Sequence, residues 1–177
     1  MLDGLPIITD RLILNPFAES DAPFLCQLMN TPAYLQYVGD KGVRTEEDAA
    51  QFIREKILAS YEDQGFGFYI VRLRHMDFPV GLCGLVQRDH LEEVDMGFGF
   101  LEEYQGQGYA YESAKALMEY AYDYHDIDRM LAITTEDNLL SRRLLSKLGF
   151  AVDQLVDWPD GTKLLQYHMS LYELYDE

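Results

Sequence analysis

The chain has little of what would mark a specialised class. It carries only two cysteines, Cys26 and Cys83, far apart and without a CxxC pair or a histidine-rich neighbourhood. That excludes a disulfide scaffold and a zinc-type cluster, and leaves both as small apolar packing residues. The four histidines, His75, His90, His125 and His168, are scattered and make no ligand spacing, so no metal is expected. No apolar run approaches the roughly 20 residues of a membrane span, so no membrane partner is expected. The start, Met1-Leu2-Asp3-Gly4-Leu5-Pro6, lacks a basic segment and an apolar core. No secretory leader is therefore expected, and a cytoplasmic location is the default. Repeats, linkers and low-complexity tracts are missing too.

Positive charge is also scarce. Lysine and arginine total 14 against 31 aspartates and glutamates, a net charge of −17. That balance argues against nucleic acid, whose phosphates require a basic footprint. It is compatible with cationic substrates, and equally with solubility or a salty habitat. Any anionic ligand must be held by locally gathered cations or by uncharged backbone N–H groups. The rest of the composition is ordinary. With 177 residues, 48% of them hydrophobic, the length implies a single domain, 1–177, able to bury a core.

Periodicity gives a mixed order. Arg11 to Leu14 reads as a short strand, and Ser20 opens a helix with Pro23 in its first turn. Thr45 opens a second helix with apolar residues at Ala49, Phe52, Ile53, Ile57 and Leu58. Phe66–Leu73, Val80–Gln87 and Glu92–Leu101 read as strands, and Gly97 and Gly99 suggest a bulge or a close backbone approach in the third. A helix to about Tyr124, a strand Met130–Thr134 and a helix Leu139–Leu148 follow, with Gly149 suited to end the helix. Phe150–Val156 and Leu164–Leu174 alternate as two final strands about the turn Pro159-Asp160-Gly161. The order predicts one α/β sheet with helices on its faces.

Between the Glu92–Leu101 strand and its helix lies Gln105-Gly106-Gln107-Gly108-Tyr109-Ala110. A glycine-bearing turn feeding a helix is a ready phosphate site, since free N–H groups and the helix dipole meet there. A Rossmann loop needs a third glycine where Tyr111 stands, and a P-loop needs a Gly-Lys-Ser/Thr that is absent. The pattern Gln/Arg-x-x-Gly-x-Gly/Ala, which binds the coenzyme A pyrophosphate in GCN5-related N-acetyltransferases (GNAT), fits at every fixed position. Taken alone, the hexapeptide is also compatible with a plain surface turn.

Four ordered blocks carry a wider resemblance. Thr9-Asp10-Arg11-Leu12-Ile13-Leu14 resembles the "TxRLxLR" opening of the RimJ/RimL-like branch of that family, with Asn15 in place of the last arginine. Gly81 to Leu85 is similar to its third strand. Asp95-Met96-Gly97-Phe98 with Tyr104 to Glu112 resembles "EIGY…YxGxGYAxEA". Asn138 to Phe150 resembles "NxxSxxxxxKLGF". The resemblance implies the α/β GNAT fold, a mixed, mostly antiparallel central sheet splayed between strands 4 and 5 and flanked by helices. It implies an acetyl-CoA-dependent N-acetyltransferase acting on a primary amine, whether a protein N-terminus, a ribosomal protein or a small amine, as monomer or homodimer.

The resemblance also assigns residues. Backbone near Phe98 and Phe100 would hold the pantetheine and acetyl carbonyl, and the N–H groups of Gln105, Gly106, Gln107, Gly108, Tyr109 and Ala110 would take the pyrophosphate. Asn138 would bond the pantetheine arm, although asparagine there also suits a helix N-cap. Asp95, in place of the branch's strand-4 glutamate, is the first candidate base and Glu93 the second, with a carboxylate in a strand pair or on the solvent face as the plain alternative. The tyrosine that often protonates the thiolate is replaced by Leu145, so Ser141 is the group placed at the sulfur, unless it only bonds its own helix. Tyr34, Tyr37, Tyr61, Phe66, Phe68 and Tyr69 are core or acceptor-wall aromatics, and Trp158 is a candidate cover for the acceptor mouth or a dimer contact. Two rivals remain at this stage: a non-catalytic acyl-CoA-binding domain, and an interaction module on the same scaffold.

Overall fold

The computed structural model describes residues 2–176. Eight strands form one sheet: β1 (Ile7–Ile8), β2 (Leu12–Pro16), β3 (Phe68–Leu73), β4 (Phe78–Val86), β5 (Asp95–Phe100), β6 (Arg129–Thr134), β7 (Ala151–Asp157) and β8 (Lys163–Ser170). Their order is β1-β2-β3-β4-β5-β6-β8-β7, and every neighbouring pair is antiparallel except β5 and β6. Six α-helices accompany them: α1 (Ala22–Met29), α2 (Glu46–Phe52), α3 (Ala59–Gln64), α4 (Tyr109–His125), α5 (Leu139–Leu148) and α6 (Leu171–Tyr175). A π-type turn, Ile53–Leu58, joins α2 to α3, and another forms Tyr34–Val38.

Period-two alternation sends side chains to two cores. Tyr69 and Val71 of β3 and Cys83 and Leu85 of β4 pack with Ala114, Leu117, Met118 and Ala121 of α4. Ile70 and Leu82, between them, face Leu25 and Leu28 of α1 and Ala49 and Ile53 of the α2 segment. Both cysteines are free thiols, and burial pushes the pKa of Cys83 up to about 12, so it packs as an apolar residue.

Several boundaries have visible causes. Thr45 caps α2 by accepting from Asp48 N at 3.1 Å, while the Asp48 carboxylate accepts from Thr45 N at 3.1 Å, a reciprocal capping box. Gly149 ends α5 with φ +102°, the left-handed conformation that glycine adopts freely. The last strand is shorter than its alternation predicts. It stops at Ser170, whose hydroxyl accepts from Glu173 N at 3.2 Å and starts α6. Ser170-x-x-Glu173 is itself a helix-start signature, and it overrides the alternating pattern.

The bulge expected in β5 lies elsewhere. β5 runs in unbroken register with β4, from Gly81↔Phe100 to Val86↔Asp95. The irregularity is between β3 and β4, where Val71 pairs Gly81 and Arg72 pairs Pro79, leaving Val80 as the extra residue. The β5 glycines serve close approach instead. A Cβ on Gly97 would lie 3.1 Å from the Phe68 ring, and one on Gly99 would lie 3.3 Å from the Tyr34 ring.

The β5–β6 contact is the one that shapes the molecule. These parallel strands are joined by the α4 crossover and share a single registered pair, Asp95↔Leu131. Leu131 N also donates to Val94 O at 2.9 Å. Beyond that point β5 pairs only with β4 and β6 only with β8. The sheet is therefore splayed where the resemblance implies; the short β1 shifts the strand count by one.

Close packing across β3 and β4 provides a stability test. A Cβ on Gly84 would sit 2.4 Å from Phe68 Cα and 2.5 Å from Gly67 O. Gly84→Ala is expected to destabilise the fold by about 1–3 kcal/mol, because backbone must move. Denaturant melts check this; an unchanged midpoint would contradict the packing described.

Candidate active site

The splay opens into a cleft of about 420 Å³ at the carboxyl ends of two parallel strands, where ligands commonly bind in open α/β sheets. Phe98, Gly99 and Phe100 of β5 line one side. Gln105, Gly106, Gly108, Tyr109 and Ala110 close one end, and Asn138, Leu140, Ser141, Leu144 and Lys147 of the α5 segment form the opposite wall. Thr31, Tyr34 and Tyr37, from the turn after α1, complete it. Eleven of the residues singled out in the sequence thus meet in one space: Tyr34, Tyr37, Phe98, Phe100, Gln105, Gly106, Gly108, Tyr109, Ala110, Asn138 and Ser141.

The loop is held by its own side chains. Gln105 Nε2 donates to Phe100 O at 3.0 Å, and Gln107 Nε2 donates to Glu103 O at 3.1 Å. Gly106 and Gly108 have φ of +77° and +85°, which a side chain would strain. Gly108 precedes α4 and supplies no side-chain cap, so the first-turn N–H groups are left for another acceptor. Gln107 is outside the cleft lining; its carbonyl accepts from Arg11 Nη1 at 2.9 Å.

On α5, Asn138 Oδ1 accepts from Ser141 N at 3.3 Å, so asparagine is an N-cap as its residue type suggests. The cap uses only Oδ1 and not the amide NH₂. Ser141 lies one turn into the helix and lines the cleft. Leu145, where the family's tyrosine is often found, turns away and is buried in the α4-side core. Leu144 is the neighbour that faces the cleft.

The candidate bases sit apart from this lining. Asp95 is 3% exposed, at the closed end of the splay, and Arg88 Nε donates to its Oδ1 at 3.1 Å. Burial raises the Asp95 pKa, while the charge and hydrogen bond of Arg88 pull it down. The Arg88 guanidinium lies 5.2 Å from the Trp158 ring centre, and His90 packs edge-on against Trp158 at 4.5 Å. Trp158 therefore covers an ion pair. Glu93 precedes β5, with its carboxylate 3.9 Å from Arg129 Nε. Asp95 does share a strand face with Gly97 and Gly99, on which Tyr34 lies. Burial pushes the Tyr34 phenol up to about 12, against the pull of Arg88, so it stays protonated.

Sequence reasoning missed the parts of four residues. Arg88 carries no motif, and only its contact with Asp95 reveals it. Lys147 lies over the Tyr111 ring at 4.4 Å, beside the cleft; its place in the "KLGF" block was the available signal. Arg11 and Glu112 belong to two separate blocks that prove to be one cluster. Among the described residues, no group of three or more histidine, cysteine, aspartate or glutamate side chains is arranged to hold a metal ion. No helix there is long and apolar enough to cross a membrane.

The fold and cleft are those of an acyl-CoA N-acyltransferase. The acetyltransferase (GNAT) domain model matches residues 11–151, and the chain belongs to that family of acetyltransferases. Among relatives, it is 28% identical over 143 residues to a Bacillus subtilis (strain 168) protein named uncharacterized N-acetyltransferase YnaD, covering 81% of each chain. In structure it is similar to RimL, the ribosomal L7/L12 alpha-N-protein acetyltransferase in complex with coenzyme A, with TM-score 0.79, 22% identity and 94% and 97% of the chains covered. An acetyltransferase from Agrobacterium tumefaciens str. C58 superposes with TM-score 0.77 at 24% identity, over 92% of each chain.

Removing the Asp95 carboxylate leaves Arg88 unpaired beneath Trp158. Asp95→Ala is expected to cost about 1–3 kcal/mol of stability, read from denaturant melts. A double-mutant cycle with Arg88→Ala separates this pair from lost packing. Strictly additive effects would mean that the pair contributes nothing.

Proposed function

We propose that the protein binds acetyl-CoA along the unpaired edge of β5 and transfers its acetyl group to an α-amine, by direct attack of the amine on the thioester. The observation that carries this is the edge itself. From Gly97 to Phe100 the β5 backbone lacks a partner on the β6 side, and it runs from the reaction end of the cleft to an uncapped helix N-terminus. An extended amide-bearing arm fits such an edge, and a pyrophosphate suits the helix end, without needing net positive charge from an acidic chain.

Acetyl-CoA supplies the activated acetyl group. A main-chain N–H of β5 would stabilise the oxyanion as the amine nitrogen bonds to the carbonyl carbon. The C–S bond then breaks, the nitrogen releases its extra proton to solvent, and the Ser141 hydroxyl donates a hydrogen bond to the departing thiolate. A hydroxyl is too weak an acid to do much more. Asn138 Nδ2 and the N–H groups of Gln105, Gly106, Gln107, Gly108, Tyr109 and Ala110 are the proposed coenzyme contacts.

The α-amine assignment follows from the proton. Lysine has a reference pKa of about 10.4, whereas an α-amine lies near 7.7–8.0 and is substantially neutral at working pH. Asp95 is engaged by Arg88 and Glu93 lies outside the cleft, so neither carboxylate is a free base at the lining. An acceptor that needs little deprotonation suits that arrangement. RimL, a structural neighbour, is named an alpha-N-protein acetyltransferase, which supports the same reading. The acidic surface attracts a cationic acceptor, so its KM should rise with salt.

A panel of peptides, with free or blocked N-termini and with or without lysine, tests this. Turnover is expected on free N-termini, with kcat/KM rising with pH along the acceptor's own ionisation and the same profile in Asp95→Asn. Preference for lysine in N-blocked peptides would contradict the assignment. Coenzyme binding without turnover on any amine would instead indicate a sensing domain. Ser141→Ala is expected to lower kcat by about 1–3 kcal/mol of transition-state stabilisation while acetyl-CoA affinity holds. An unchanged kcat would remove Ser141 from the mechanism.

A further inference from the structure

The first strands and the glycine loop are joined by a cluster outside the cleft lining. Arg11 Nε donates to Glu112 Oε1 at 2.7 Å, and Arg11 N donates to Glu112 Oε2 at 3.1 Å. The Thr9 hydroxyl donates to the same Oε2 at 2.6 Å. The other arm of the guanidinium, Nη1, donates to Gln107 O at 2.9 Å, and the group lies 4.5 Å from the centre of the Tyr109 ring. The base of the cluster is itself fixed, because Arg74 N donates to Arg11 O at 2.8 Å and Arg74 Nη1 donates to Thr9 O at 3.1 Å.

We propose that Arg11 is a positioning residue for coenzyme binding: it holds the loop through the Gln107 carbonyl and cancels the charge of Glu112 beside the pyrophosphate site. This rests on the acetyl-CoA reading above. Glu112 stands in the first turn of α4, whose N-terminus is to receive an anion. An unpaired carboxylate there would draw on the same positive potential and repel phosphate. Three donors surround it instead. Partial burial pushes the Glu112 pKa up, but the bonds from Thr9 and Arg11 outweigh this and hold the carboxyl below its usual value.

The geometry requires a fork. One guanidinium reaches the carboxylate with Nε and the loop carbonyl with Nη1, which a point ammonium cannot do at once. Gly108 completes the fit, since a Cβ there would approach Arg11 Nη2 to 3.1 Å at a φ of +85°. Two sequence blocks distant in the chain, Thr9-x-Arg11 and Tyr109-Ala-x-Glu112, are thus halves of one clasp.

Calorimetry with coenzyme A, and kinetics with acetyl-CoA and with acetyl-pantetheine, which lacks the pyrophosphate, test it. Arg11→Ala is expected to weaken coenzyme A binding roughly ten- to a hundredfold, with Arg11→Lys intermediate. Its kcat/KM with acetyl-pantetheine should stay within about twofold of wild type, which a general loss of structure would not allow. Adding Glu112→Gln to Arg11→Ala should recover coenzyme affinity several-fold, because the stranded charge is gone. Unchanged coenzyme affinity in Arg11→Ala, an equal loss with acetyl-pantetheine, or a further loss in the double variant would each overturn the clasp. Failure of the wild-type chain to bind coenzyme A would overturn the underlying reading as well, so the two failures are told apart.

Discussion

A single registered pair between β5 and β6 sets the form of this protein. Parallel strands joined by a helix ordinarily continue side by side, and each further pair would satisfy backbone groups on both. Here pairing stops at Asp95↔Leu131. The remaining β5 edge is left without a strand partner, and that unmet hydrogen-bonding capacity is what the proposed coenzyme would use. The two cores lie on opposite faces of the sheet: the one built on α4 and α5 spans strands on both sides of the splay, and the other packs β3 and β4 against α1 and α2. The tight packing of Gly84 against Phe68 and Gly67 keeps the β3–β4–β5 half rigid up to the edge.

Charge is handled with matching economy. A chain of net charge −17 has few cations to spend on an anionic coenzyme. The loop offers N–H groups and a helix end, Lys147 stands over Tyr111 beside the cleft, and Arg11 is occupied with a carboxylate. At the other end Arg88 is occupied with Asp95, under Trp158. The arginines at both ends act on neighbouring carboxylates. In the function proposed above, the chemistry falls to neutral groups: backbone amides, an asparagine amide and a serine hydroxyl.

Much of the fold was legible because its signals are local. The Thr45 capping box, the α5 boundaries and the glycines of the loop depend on residues three or four apart. The β5, glycine-loop and α5 parts of the cleft lining were legible through two of the four sequence blocks. What sequence could not carry was partnership across the chain. Asp95 reads as a free base until Arg88, seven residues away and without a motif, is placed against it. Thr9 and Arg11 lie about a hundred residues from Glu112, so nothing local signals their contact. The β5 glycines were read as a bulge or a close approach; they serve the second, making room for aromatic rings from other elements, and the bulge falls on Val80. The short β1 and the π-type turns lack a distinctive period, and α6 was hidden by the alternation of the strand before it.

The central claim is that acetyl-CoA occupies the open β5 edge and the loop beyond it. Amide hydrogen exchange, measured with and without saturating acetyl-CoA, tests this most directly. The account predicts new protection at residues 97–100 and 105–112, with β7 and β8 unchanged at their outer edge. Binding that leaves both segments as they were, or that protects a different surface, would contradict it.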